Sequence, residues 1–250
     1  MFTRVKTPAE ITYMRESGHI LAAILKQLPA IVVPGITGLE VADFCKKELK
    51  ACGATAPFLG YGGFPDVICI SPNDVVVHGI PNATPFKDGD IVGFDFGVKY
   101  NGMITDSAFS MVVGGSTKSK KRLLKETERS LYAGIEQIKD GVRSGDIAAA
   151  IQKVLDGAGL GIVRDLVGHG VGHAVHEDPN IPNYGAAGTG PVLKAGMTIA
   201  VEPMATLGDY HVLLDKKDGW TVRTADGSLA AHFEHTVLIT LDGYEILTAW

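Results

Sequence analysis

Apolar positions along the chain follow two alternating patterns, one helical and one extended. From Thr7 onward Ile11, Met14, Leu21, Leu25 and Leu28 recur at helical spacing. Thr7 followed by Pro8 is a helix start, with proline at the first helical position. A second helix opens at Gly35-Ile36-Thr37-Gly38 and runs to Gly53. Thr37 and Glu40 have capping-box spacing there, and Val41, Phe44, Cys45 and Leu49 form its stripe. The same order then returns. A long helix over about 119–139 turns Leu124, Leu131, Ile135 and Ile138 inward. A shorter one follows Gly141-Val142-Arg143-Ser144-Gly145, with Ser144 as the expected N-cap and Ile147, Ile151, Val154 and Leu155 as its stripe. The bracketing glycines stand 18 residues apart in both copies, Gly35 to Gly53 and Gly141 to Gly159.

Two extended segments follow each helix pair, and each segment carries an acid. Lys87-x-Gly89 leads to Asp95 and Lys194-x-Gly196 leads to Glu202, six residues from glycine to acid both times. The next segments carry Asp106 and Glu234. The pattern predicts an α+β fold of two halves, about 1–115 and 116–250, related by a pseudo-twofold. Each half contributes helices, an antiparallel sheet and two carboxylates, and together they are expected to form a single domain over 1–250.

The first pair of strands can be registered. Asn101-Gly102 is the strongest short hairpin signal. A two-residue turn there sets Asp95 opposite Ala108 and Asp106 opposite Gly97. Both acids then share one sheet face as diagonal neighbours, provided no bulge intervenes. Flanking residues are apolar, and carboxylates rarely sit in such surroundings without a positive partner. Four of them carry a formal charge that balances two divalent cations. The stretch Gly168-His169-Gly170-Val171-Gly172-His173-Ala174-Val175-His176 adds imidazoles on a backbone too glycine-rich for a helix. Oxygen-rich ligation with one nitrogen suits Mn, Fe(II), Co or Zn.

Composition narrows the picture. The net charge of −5 and the single basic run Lys118-Ser119-Lys120-Lys121-Arg122 argue against direct nucleic-acid binding; the run reads as a solvated helix start. Cys45, Cys52 and Cys69 form no CxxC pair and read as reduced thiols. The opening residues do not read as a secretory signal, and no apolar run is long enough to span a bilayer, so a cytoplasmic protein without membrane contact is expected.

Taken in order, these pieces resemble the type I methionine aminopeptidases of the pita-bread fold. The matching segments are Val77-His78-Gly79-Ile80-Pro81, Asp88-Gly89-Asp90-Ile91-Val92 with Asp95, Thr105-Asp106, Gly168 to Gly172, His176-Glu177-Asp178-Pro179, Glu202-Pro203-Met204, Asp218-Gly219-Trp220-Thr221 and Glu234-His235-Thr236. The resemblance implies removal of initiator methionine from nascent polypeptide N-termini at the ribosome, by a monomer holding two divalent metal ions. It implies Asp95, Asp106, His169, Glu202 and Glu234 as metal ligands, with Asp106 and Glu234 shared by both ions. Glu202 would also act as general base, and His78 and His176 would contact the substrate and stabilise the tetrahedral intermediate. Tyr61, Phe64, Cys69 and Trp220 would form the methionine pocket. Val175, Phe58 and His173 depart from the family's usual residues, which bears on pocket shape and on preference for the second substrate residue. Proline-directed peptidases share the ligand types and are the nearest rival; a catalytically dead binding module is a more distant one.

Overall fold

The computed structural model describes residues 5–250; the opening residues 1–4, on which part of the signal-sequence reading rests, lie outside the described residues. Helix α1 (Pro8–Leu25) starts at a capping box in which Thr7 and Glu10 satisfy each other's free amides. It ends where Pro29 cannot continue it, and Leu28 falls in a separate short helix, α2 (Leu28–Ile31). Helix α3 (Gly38–Ala51) repeats the capping box with Thr37 and Glu40. Strands β1 (Ile68–Pro72), β2 (Val75–Val77), β3 (Ile91–Tyr100) and β4 (Met103–Val112) complete the first half.

The second half opens with α4 (Lys118–Ile135) and α5 (Ser144–Gly157). Strands β5 (Gly161–Ile162), β6 (Gly168–Gly170), β7 (Glu177–Ile181), β8 (Thr198–Val201) and β9 (Met204–Thr206) come next. They are followed by β10 (Val212–Leu214), β11 (Val222–Thr224), β12 (Ala230–His232), β13 (Glu234–Ile239) and β14 (Tyr244–Ile246).

The repeat seen in the sequence is a repeat of hydrogen bonds. Gly35 donates to the Phe86 carbonyl at 2.8 Å, and Gly141 donates to Leu193 at 2.9 Å. Past the helix ends, Ala54 donates to Leu49 and Leu160 to Leu155, at 3.0 and 3.1 Å. Gly53 and Gly159 carry the left-handed conformation after the C-caps, with φ of 65° and 63°. Among the described residues an eight-stranded antiparallel sheet runs β1-β3-β4-β13-β8-β6-β7, with β14 beside β13. The two halves therefore join along the β4–β13 seam, and the helices cover an apolar core against it.

Some details differ from expectation. Leu123, not Leu124, is the fully buried residue at the start of the α4 stripe. The long helix ends at Ile135 rather than Lys139, because Gln137 and Ile138 tighten into i→i−3 bonds to Gly134 and Ile135. Ser144 is already helical. Arg143 is the extended N-cap residue, and its amide donates to the Asp146 carboxylate at 3.0 Å. Ile11, Phe44 and Val154 are only partly buried.

Candidate active site and metal centre

The hairpin register holds without a bulge from Ile91↔Val112 to Tyr100↔Met103, so Asp95 faces Ala108 and Asp106 faces Gly97. Asn101 and Gly102 both take positive φ, 49° and 84°, as this tight turn demands. Sheet order then does the rest. Reading across neighbouring strands, β1 contributes Cys69, β3 Asp95, β4 Asp106, β13 Glu234 and β6 His169. Glu202 follows the last residue of β8, where Pro203 interrupts the strand.

One cavity of about 90 Å³ is lined by Asp95, Asp106, His169, Glu202, Glu234, His78, His176, Tyr61, Phe64, Cys69 and Trp220. Ligand atoms of Asp106, His169 and Glu234 lie within 4.8 Å of one another. All four carboxylates are buried, and among the described residues no lysine or arginine lines the cavity. Asp95 Oδ1, Asp106 Oδ1 and Glu234 Oε1 have no hydrogen-bond partner among the described residues. Burial, reinforced by neighbouring acids, holds Asp95, Glu202 and Glu234 well above the ordinary carboxylate range. Burial pushes Asp106 up to about 7. Such unpaired anions are costly unless a cation fills the gap, so these residues fit a metal centre. The thiol of Cys69 is driven up by burial and by Asp95, which leaves it a neutral, sulfur-bearing wall.

The imidazoles are held for different tasks. His169 Nδ1 lies 3.0 Å from the Gly170 carbonyl, and donating there frees Nε2 for the acids. Burial lowers its pKa to about 3 and that of His78 to about 4, so both rings are neutral. His176 stands at the exposed mouth, its Nδ1 2.8 Å from the Tyr61 hydroxyl and its ring 4.3 Å from that of His169. Trp220 is set by a turn in which Asp218 accepts from the amides of Trp220 and Thr221 at 2.8 and 2.9 Å. Its indole meets Phe64 edge-on at 5.3 Å and His78 at 6.0 Å. Phe58 and Val175 pack into the same wall, with Phe64 and Cys69. His173 lies outside the cavity and instead contacts Glu10 at 2.8 Å.

Several residues around the site were not anticipated from sequence. His232 is buried with its Nε2 3.4 Å from Glu202 Oε2. Asn183 donates to the Glu202 carbonyl at 3.0 Å, and Thr236 brackets the Asp106 backbone. The signal for His232 was its place two residues before Glu234 in extended chain, since alternate residues share a face.

Fold and site together define a metallopeptidase. A profile of metallopeptidase family M24 matches residues 12–241. The chain is 45% identical over 243 residues to methionine aminopeptidase 1 of Bacillus subtilis, covering 97% of this chain and 98% of that protein. It is 46% identical to the methionine aminopeptidase of Clostridium perfringens, covering 98% of each. The crystal structure of methionine aminopeptidase from Thermotoga maritima superposes with a TM-score of 0.97 at 44% identity, covering 100% of both chains. The prolidase of Pyrococcus furiosus shares the fold at 24% identity and a TM-score of 0.80, and this chain covers 66% of it. The chain belongs to the methionine aminopeptidases of family M24.

Proposed function

We propose that the protein removes the initiator methionine from nascent proteins and peptides, using two divalent cations of Co, Mn, Fe(II) or Zn. The observation that carries this reading is the set of buried carboxylate oxygens left without partners in one cavity. Asp106 and Glu234 are assigned to both ions, His169 and Glu202 to one, and Asp95 to the other. When bound, such cations lower the pKa of a water and polarise a carbonyl. Glu202 takes the proton from the attacking water and passes it to the leaving amine. His78 and His176 donate to the substrate carbonyl as its charge develops. With His176 Nδ1 engaged by Tyr61, Nε2 is the nitrogen left for substrate. The methionine side chain packs among Tyr61, Phe64, Cys69 and Trp220, where aromatic rings favour its thioether.

The reading extends to a cytoplasmic monomer that acts on chain N-termini at the ribosome, its two halves working as one catalytic unit. It involves no nucleic acid and no membrane. The net charge is −5, and among the described residues no helix is long and apolar enough to cross a membrane. The test is turnover of Met-Ala-Ser against X-Pro peptides by protein loaded with Mn or Co. Release of methionine from the first alone, abolished by a chelator, is the expected result. Cleavage of X-Pro peptides alone, or chelator-insensitive turnover, would overturn the proposal.

A further inference from the structure

Glu202 lies between two imidazoles. Its Oε1 is 3.4 Å from His169 Nε2, and its Oε2 is 3.4 Å from His232 Nε2. His169 has an evident task in the metal centre, whereas His232 has none. Its ring is buried, and its Nε2 makes no hydrogen bond to any described residue in the resting geometry, although a carboxylate oxygen lies within 3.4 Å. An orphaned buried nitrogen is costly unless the state that matters closes the gap.

The backbone around this ring is unusually fixed. The Ser110 hydroxyl accepts from the His232 amide at 3.0 Å and donates to the His232 carbonyl at 2.9 Å. Residue 232 also pairs with Met204, two positions beyond Glu202. Glu202 is anchored at its own carbonyl by Asn183. Both partners are thus held at the backbone, and only a small side-chain movement separates 3.4 Å from an ordinary hydrogen bond.

We infer that His232 is a positioning residue for Glu202, donating from Nε2 to Oε2 and so holding the carboxylate in the orientation that serves water and metal. The inference rests on the proposed role of Glu202. It assigns the two carboxylate oxygens different neighbours: Oε1 belongs to the His169 side and Oε2 is steered from β12. A ring that orients a ligand in this way commonly changes metal affinity or activity by about 10–100-fold when removed.

The test compares His232→Ala, His232→Gln and Glu202→Gln, singly and combined. Two readouts are needed: kcat and KM on Met-Ala-Ser, and Mn affinity of the metal-free protein by calorimetry. His232→Ala is expected to lower kcat about 10–100-fold with KM changed less than about threefold, and to weaken Mn binding about tenfold. His232→Gln, which keeps a side-chain N–H donor, is expected to restore most of both. On a Glu202→Gln background, His232→Ala should add almost nothing. Parent-like kcat in His232→Ala, or a glutamine no better than alanine in protein that melts normally, would overturn the inference. So would loss of one whole equivalent of Mn from both His232 variants, which would make the ring a ligand. Full activity in Glu202→Gln would instead remove the role of Glu202 itself, so the two failures are distinguishable.

Discussion

Asp95 and Glu234 face the same residue from opposite sides: Ala108 in β4 pairs with Asp95 of β3 and with Glu234 of β13. Strands about 4.8 Å apart therefore set two carboxylates on either side of a methyl group, with Asp106 two residues along the same strand. Only a methyl side chain stands at the register position shared by the two carboxylates. Ala108→Val is expected to crowd the two flanking carboxylates and to weaken Mn binding at least tenfold although every proposed ligand is intact. Metal titration by calorimetry, alongside thermal melting to confirm folding, checks this. Unchanged affinity would show that a larger side chain at position 108 does not crowd them.

The same pairing shows what could be read in advance. Asp95 opposite Ala108 followed from the Asn101-Gly102 turn and a period of two, because hairpin register is a local property. The meeting of Glu234 with Asp106 was legible only as a repeat of spacings between halves. Its physical basis, the β4–β13 seam, joins residues more than a hundred positions apart and leaves no local signature. Ser144 departs from its expected role for the opposite reason. Its residue type favours a cap, but the chain turns one residue earlier, and Asp146 satisfies the free amide of Arg143. His232 carries only a weak local signal, its place two residues before Glu234. Only the fold brings it to Glu202.

Asp106→Asn separates stability from function. The variant removes one charge from a buried group of four acids that repel in the absence of metal. Turnover of Met-Ala-Ser is expected to vanish, while the metal-free protein melts higher than its parent. Scanning calorimetry in chelator reads the second effect. A lower Tm would mean that the cluster is not under electrostatic strain.

The pH dependence of the metal-free protein has a definite sign. Asp106 moves from 3.8 to about 7 on folding, and Asp95, Glu202 and Glu234 also rise. Raised carboxylate pKa values mean that the folded state holds more protons, so these groups favour folding at low pH and lose that contribution as pH rises through the folded values. His169 and His232 act the other way, with folded values of about 3 against 6.5; their unfavourable contribution below about pH 6.5 disappears above it. Between about pH 6.5 and 8.5 the acids set the slope, and the raised thiols of Cys45 and Cys69 add to it in the same direction at the upper end. Tm in chelator should therefore fall across this window, and saturating Mn should remove the fall by taking the place of the protons. A Tm that climbs with pH in chelator would contradict the assignment.

A second buried pair supports the histidine loop. Lys6 Nζ and Glu177 Oε2 are 2.8 Å apart, with side-chain exposures of 0% and 4%. The other oxygen of Glu177 accepts from the amides of His173 and Ala174 at 2.6 and 3.1 Å, just ahead of His176. Glu177→Gln keeps an acceptor for those amides but strands the ammonium of Lys6. The expected cost is about 3–5 kcal/mol. Adding Lys6→Met should recover most of it, which denaturant unfolding of the double variant will measure. Equal stability of the single and double variants would show that the pair is not coupled.

His78 offers the cleanest separation of catalysis from metal binding. Its φ of 58° is a left-handed conformation that a side-chain-bearing residue seldom adopts. The next residue explains why the chain accepts it: a Cβ on Gly79 would lie 2.1 Å from the Ile70 carbonyl oxygen, so the loop is pressed against β1. This close approach holds the His78 ring beside Trp220 and at the cavity wall, where strain is offset by surrounding packing. The ring is not among the five ligands assigned to the cations. His78→Ala should therefore lower kcat about 10²–10³-fold, the usual loss when one donor to a developing oxyanion is removed. Mn affinity should stay within about twofold. His78→Asn tolerates the backbone conformation and retains an N–H donor, so its kcat should fall between parent and alanine. His78→Gly relieves the backbone without supplying a donor; it should melt no lower than alanine and turn over no faster. Steady-state kinetics with parallel metal titration distinguishes these outcomes, and an alanine variant that loses metal as completely as it loses turnover would place His78 in the metal centre instead.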